Sequence, residues 1–243
     1  MLTLISKEIR SFLGSLIGYI VIVVFLTIIG LLMWVFPGGT NVLDGGYASI
    51  DALFYIAPWI FMFLVPAITM RLFAEESRTG TIELLLTKPL TDFQIVLAKY
   101  IAGFTLVFFS LLPTLVYFYS VYQLGNPIGN IDVGGTMGSY FGLLFLASVF
   151  VAIGVFASAI TKNQIISFIV AVFLCSFCYV GFELISSLEF FGSVDDIILK
   201  LGINEHYISM SRGVIDTRDV VYFLSTIGLF LILTKTVLSS RKW

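Results

Sequence analysis

Charged side chains are scarce in this sequence, making up 12% of its 243 residues against about a quarter in a soluble globular domain. So few cannot build a water-facing surface. With 59% hydrophobic residues and a mean hydropathy of +1.06, the chain falls in the membrane class. A basic excess is also missing, and a net charge of -2 argues against a nucleic-acid partner. Histidine occurs once, at His206, so neither a metal site nor a histidine relay is expected. The two cysteines, Cys175 and Cys178, fall i, i+3 inside an apolar run. Inert buried thiols are expected there rather than a redox pair or a zinc half-site. No Gly-Lys pair occurs, which removes the phosphate-cradling loop G-x-x-x-x-G-K-[ST]. Any energy from ATP must then come from another polypeptide. Period-2 alternation is absent too, which argues against a membrane barrel.

What the sequence does have is six apolar runs, at roughly 15–36, 52–71, 95–123, 139–160, 163–186 and 219–238. Each is close to the ~20 residues of a membrane-spanning helix, and helix is the form that satisfies its own backbone in lipid. An all-α membrane protein with six transmembrane helices in a single domain over residues 1–243 is the expectation. The first run is too long for the apolar core of a signal peptide and no small-residue cleavage site follows it, so it is read as a retained span. Pro113 predicts a kink or tilt in the long third run, and Pro58 and Pro66 lie within the second.

Ten of the thirteen Lys and Arg residues fall in one set of connecting segments. They are Lys7 and Arg10; Arg71, Arg78, Lys88 and Lys99; Lys162; and Lys235, Arg241 and Lys242. The positive-inside rule then makes the N- and C-termini cytoplasmic. Ahead of the first span, residues 2–13 set Lys7, Glu8 and Arg10 against Leu4, Ile5, Ile9, Phe12 and Leu13, which suits an amphipathic helix at the membrane surface.

Between the second and third runs lies the richest cluster of charge, residues 73–99. Gly80 or Thr81 suits the start of a short helix, Glu83 lies in its first turn, and Pro89 stops it. Ile82, Leu85 and Leu86 fall on one face at i, i+3, i+4 spacing. Thr91 and Gln94 form a capping box for the third span, with Leu90 and Ile95 at the staple positions. A two-turn helix is not stable alone in water. Its apolar face must dock, either on the membrane surface and its own helix ends or on a partner protein.

The pattern E-x-R-x-G-T-x-E-x-L-L-x-x-P followed by a polar turn and a Lys, here Glu76, Arg78, Gly80, Thr81, Glu83, Leu85, Leu86, Pro89 and Lys99, resembles the cytoplasmic loop of ABC-2 type transporter permeases. Ser77 separates Glu76 from Arg78 where that loop often joins acid and base directly. Within the group, the run of six spans and the long last outer connection resemble the gliding-motility-associated permeases of the GldF type. The resemblance implies a type V exporter permease with an N-terminal interface helix and a short coupling helix between spans two and three. The coupling residues would be Glu75, Glu76, Arg78, Gly80, Thr81, Ile82, Glu83, Leu85, Leu86, Lys88 and Pro89. It further implies a separate ABC ATPase subunit carrying the ATP and magnesium, leaving this chain non-catalytic and without a cofactor. A second permease subunit is also implied, either another copy in a homodimer or a GldG-like companion with an outer domain. The location would be the bacterial inner membrane. The function implied is substrate export or force transmission.

Other constellations have plainer readings. Glu183, near the outer end of the fifth run, is a candidate for a transport path, or simply a water-facing acid. The outer connection 187–218 opens with Ser193-Val194-Asp195-Asp196 and stops at Gly202, which predicts a short capped amphipathic helix. In the resembled family this region folds partly back into the outer leaflet. Gly14/Gly18 and Gly134/Gly138/Gly142 suit close helix packing, and Trp34, Tyr117, Tyr119 and Tyr122 suit an aromatic belt. Three rival functions are weighed. A membrane anchor for an ATPase and outer partners would share the same loop. A secondary transporter or channel would need mid-membrane charges in paired halves, which are not visible. A CAAX-type protease needs E-E-x-x-x-R, but the arginine after Glu75-Glu76 comes two positions early, Gly80 stands in its place, and no span holds a histidine.

Overall fold

The computed structural model describes residues 1–87, 89–188, 192, 195–213 and 215–240, the side chains of residues 17 and 86 excepted. Among these the regular elements are all helical. Helix α1 (Leu2–Leu13) turns by 63° into α2 (Leu16–Trp34). Ser15 makes the elbow: its hydroxyl donates to the Phe12 carbonyl at 2.8 Å and accepts from the Gly18 N–H at 3.4 Å. A Cβ on Gly18 would lie 2.5 Å from the Phe12 carbonyl oxygen. Of the Gly14/Gly18 pair, Gly18 thus permits the close approach at this bend.

Helix α3 (Asp51–Thr69) runs on through the turn 70–73 into α4 (Ala74–Thr79), one helical stretch of 29 residues whose charged end is α4. Gly80 ends it at φ 73, a left-handed conformation that strains a residue with a Cβ. There α5 (Thr81–Leu86) begins, and α6 (Asp92–Leu111) follows. The capping box is formed: the Gln94 N–H donates to Thr91 Oγ1 at 3.3 Å and the Thr91 N–H to Gln94 Oε1 at 3.0 Å. Around Pro113 the third span tightens into a 3-10 turn, Leu112–Thr114, before α7 (Leu115–Leu124). The helix geometry thus changes at that proline.

Helix α8 (Val133–Ile160) starts six residues before the expected span. It is followed by α9 (Gln164–Ser176), a π-helical turn at Phe177–Gly181, and α10 (Phe182–Ser186). Then come α11 (Asp195–Lys200), α12 (Ile203–Ser211) and α13 (Thr217–Ser240). Among the described residues five helical stretches are long and apolar enough to cross a membrane, and α1 with α2 as one bent pair makes a sixth.

Helix α8 is the centre of the bundle, with 78% of its most apolar 18 residues buried, against 22% in the 164–186 stretch and 17% in α13. Small residues permit this. A Cβ on Gly154 would collide with Thr69 Oγ1 of α3, and one on Gly138 would lie 2.6 Å from the Gly213 Cα. The 187–218 connection holds more than the one expected surface helix. Ile203, Tyr207 and Met210 of α12 are buried, and Tyr207 Oη donates to the Phe54 carbonyl at 2.6 Å. Lys88, Ser193, Val194, Arg241 and Lys242 lie outside the described residues.

The two ends of the chain meet on one face. Ser239 near the end of α13 donates to Asp92 Oδ2 at the start of α6 at 3.0 Å, and α1 packs on the same helix. This end, with α4 and α5, is the terminal face.

Candidate functional site

Lys99 sits two turns into α6 and is wholly withdrawn from solvent. An unpaired ammonium there would be too costly to bury, and the surrounding chain meets each of its needs. Its Nζ donates to the Leu72 carbonyl at 2.7 Å, lies 2.9 Å from Glu76 Oε2 and 3.3 Å from Glu8 Oε1, and stands 5.0 Å from the centre of the Phe73 ring. The Glu76 contact is an ion pair set off the hydrogen-bond direction, since Oε2 has no hydrogen-bond partner. Lys7 closes the arrangement from the solvent side, 3.3 Å from Glu8 Oε1 and 3.5 Å from Glu76 Oε1. Two lysines and two glutamates thus alternate around a ring that ties α1, α4 and α6. Lys7 has its pKa raised above the ordinary 10.5: burial, the largest single influence, pulls it down, and the two carboxylates together outweigh that.

This ring explains Glu8. With Leu4 and Phe12 it forms the buried i, i+4, i+8 row of α1, whereas the sequence reading grouped it with the polar face of Lys7 and Arg10. A carboxylate is tolerated on the inward face because Lys99 is beneath it.

A second set of bonds fixes the turn before α4. Ser158 Oγ, near the end of α8, accepts from the Phe73 and Ala74 N–H groups at 2.9 and 3.1 Å and donates to the Met70 carbonyl at 2.9 Å. Arg71 reaches Glu75 at 3.9 Å and stacks over Phe12 at 5.4 Å. The segment is therefore held to α1, α6 and α8.

On α5 the structure divides the expected apolar face. Ile82 is buried in the chain's own core and Leu85 is half-buried against it, while Leu84, outside the sequence-derived set, is 67% exposed. Arg78, Gly80, Thr81, Glu83 and Pro89 are exposed, and Glu75 and Glu76 are partly covered. Lys88 and the Leu86 side chain lie outside the described residues. A cleft of about 820 Å³ runs between α1 and this segment, with Leu4, Lys7, Glu76, Thr81, Leu84 and Leu85 in its walls.

At the opposite end, Glu183 is exposed and accepts a hydrogen bond from Asn204 Nδ2 at 2.9 Å. His206 is held by structure: Nδ1 is 2.7 Å from Asp219 Oδ1, Nε2 is 2.9 Å from the Lys200 carbonyl, and the ring stacks on Tyr222 at 3.9 Å. Cys175 and Cys178 are free thiols, buried and half-buried. Among the described residues no group of three or more His, Cys, Asp or Glu is placed to hold a metal ion.

A family model described as ABC-2 family transporter protein matches residues 37–202, more than half of the chain. The match takes in Glu76 and Lys99 and stops short of Lys7 and Glu8. No curated protein matches the chain.

Proposed function

The chain belongs to the ABC-2 family of transporter proteins, and on that premise we propose that it is the permease subunit of an ATP-driven exporter, moved by a separate ABC ATPase that grips the α4–α5 segment. The observation that carries this reading is the Lys99–Glu8–Lys7–Glu76 ring directly behind that segment. A lever must be stiff where it joins what it moves. Force applied at Arg78, Thr81, Glu83 and Leu84 passes through α4 to Glu76, from Glu76 to Lys99 in α6, and through the capping box at Thr91 into the same helix. The second and third spans and α1 then tilt as one unit.

The distribution of basic residues supports a cytoplasmic terminal face, where the ATPase would bind and supply the nucleotide and magnesium chemistry. The low burial of the 164–186 stretch and of α13 suits a second membrane subunit, either another copy or a GldG-like companion with an outer domain. We assign the assembly to the bacterial inner membrane and, on the loop motif, to the gliding-motility-associated branch. ATPase closure would change the lumen between permease subunits, for export or for transmission of force.

The test is co-purification of the ATPase with the permease in a neutral detergent. Leu84→Asp places a charge on an already exposed position and should abolish capture while the permease keeps its elution profile. Leu43→Asp, equally exposed on the 35–50 connection, should leave capture intact. Undiminished capture by Leu84→Asp refutes the docking assignment.

A further inference from the structure

At the end of the bundle away from the termini lies a cavity of about 500 Å³ whose walls include Asp51, Tyr55, Trp59, Tyr179, Glu183 and Tyr207. Its volume is within the ~300–1,000 Å³ of small-ligand sites. Trp59 lies eight residues beyond Asp51 on α3, so the cavity reaches about 12 Å along that helix.

The walls are built rather than incidental. Tyr179 and Tyr207 are buried, and the Tyr207 hydroxyl is spent on the Phe54 carbonyl. Tyr179 meets the Trp59 ring edge to face at 6.0 Å and 86°, and the Tyr207 ring at 6.5 Å. The single π-helical turn of the fold, among the described residues, is the one carrying Tyr179. Tyr179 and Glu183, four residues apart across the end of that turn, share the cavity wall; such turns recur at functional sites. Asn204 of α12 then holds Glu183 by Oε2, fixing the carboxylate in place.

The charge is one-sided. No Lys, Arg or His among the described residues lines this cavity, and its charged members are Asp51 and Glu183. Arg212 lines an adjoining smaller cleft of about 230 Å³, which shares Asp51 and Ser211 with this cavity. Aromatic faces with a carboxylate and no competing base are complementary to an organic cation. A sugar would gain from the same rings but would have no use for an uncompensated carboxylate. An anion would be repelled. The rim adds a preference for an amphiphile, since Tyr55 and Leu184 are 71% and 61% exposed on the flank of the bundle.

We infer that this cavity binds an alkylammonium group, seated between the Trp59 and Tyr55 rings and the Glu183 carboxylate. Occupancy follows from the cavity alone; that the occupant is the exporter's cargo rests on the function proposed above.

The experiment uses the full chain with Trp34→Phe and Trp243→Phe, leaving Trp59 as the fluorescent reporter, in a neutral detergent. The probes are choline and its uncharged isostere with carbon in place of nitrogen. Choline should give a saturable change, and the isostere should bind about tenfold more weakly or worse, a difference of about 1.4 kcal/mol. Glu183→Gln should weaken choline by a similar factor and leave the isostere unaffected, which a merely structural role for Glu183 would not do. Equal binding of the two probes, no saturable change with choline, or full choline affinity in Glu183→Gln overturns the inference. Repeating the titration in nanodiscs separates two sources of the same chemistry. Weaker choline binding in phosphatidylcholine than in phosphatidylglycerol identifies a lipid headgroup as occupant, and equal binding identifies a free amphiphile. No ATPase is present, so failure here leaves the capture experiment standing, and the reverse holds too.

Discussion

Glu8 and Lys99 are 91 positions apart in the chain and 3.3 Å apart in the fold, and that contact brings the N-terminal helix under the control of the third span. Because Lys99 is fully buried, its partners are not interchangeable with water. A buried pair adds little net stability over a hydrophobic pair of similar shape, but breaking one leaves a charge stranded. The ring therefore acts mainly on geometry, holding α1, α4 and α6 in one arrangement.

That asymmetry gives the first expectation. Lys99→Met strands Glu8 and Glu76 together and should cost on the order of 3 kcal/mol. The triple change Lys99→Met, Glu8→Gln, Glu76→Gln should recover a large part of the loss. Denaturant unfolding in detergent, read as a mutant cycle, checks this. Additive losses across the three changes would show that the four charges do not act as one ring.

Lys7 provides a pH-dependent counterpart. Its folded-state pKa is raised above 10.5, so the stability it adds is complete below that value and lost as pH rises through the higher folded pKa. The melting temperature of the native chain should exceed that of Lys7→Met by a constant amount up to about pH 10 and converge with it in more alkaline buffer. Lys7 is largely exposed, so the offset is expected to be small and to shrink with added salt. Thermal melts across the alkaline range measure it directly, and an offset that grows above pH 10.5 would contradict the assignment.

Close backbone approach supplies a third test. A methyl on Gly138 would be forced to within 2.6 Å of Gly213 Cα, where neither partner is a flexible side-chain end. Gly138→Ala should destabilise by about 1–3 kcal/mol through overpacking. At Gly228 of α13 nothing lies within 4 Å, so alanine there should be neutral or slightly stabilising. Thermal melts of the two variants side by side separate packing from helix propensity.

How far the chain could be read in advance depends on the reach of each interaction. The Thr91–Gln94 capping box spans three residues, and both of its halves are visible in a short window. The 3-10 turn at Pro113 is likewise local, because the proline itself lacks the N–H. Helix α12 was within reach, since Ile203, Tyr207 and Met210 have helical spacing, but Asn204, Glu205 and His206 between them suggest an exposed loop. The inward face of α5 and the burial of Glu8 were out of reach. Amphipathic spacing says that Ile82 and Leu85 share a face but not what covers it, and the reason a carboxylate turns inward at Glu8 stands on α6, 91 residues later. The π-helical turn has no sequence signature among the apolar residues 177–181. Helix α9 packs on α3 and the turn itself meets α12, contacts that no short window of sequence reveals.

The last expectation concerns the opposite end, where α12 meets the start of α13. His206 presents both ring nitrogens to acceptors, Asp219 Oδ1 and the Lys200 carbonyl, while its ring lies flat on Tyr222, whose own hydroxyl donates to the Leu201 carbonyl at 2.6 Å. One side chain thus ties α12 to α13 at two points, Asp219 and Tyr222, and to the end of α11 at a third. Asp219 is buried and its Oδ2 has no hydrogen-bond partner among the described residues, so removing the imidazole leaves that carboxylate with its principal donor gone. His206→Ala should cost about 1–3 kcal/mol on that account and free α12 from α13 without unfolding the bundle, because Tyr207 and Met210 still pack against α8. Hydrogen exchange across 203–211 should accelerate in His206→Ala and return most of the way in His206→Ala with Asp219→Asn, where the buried charge is gone. Equal acceleration in the single and double variants would place the fastening in the Tyr222 stack and not in the His206–Asp219 contact.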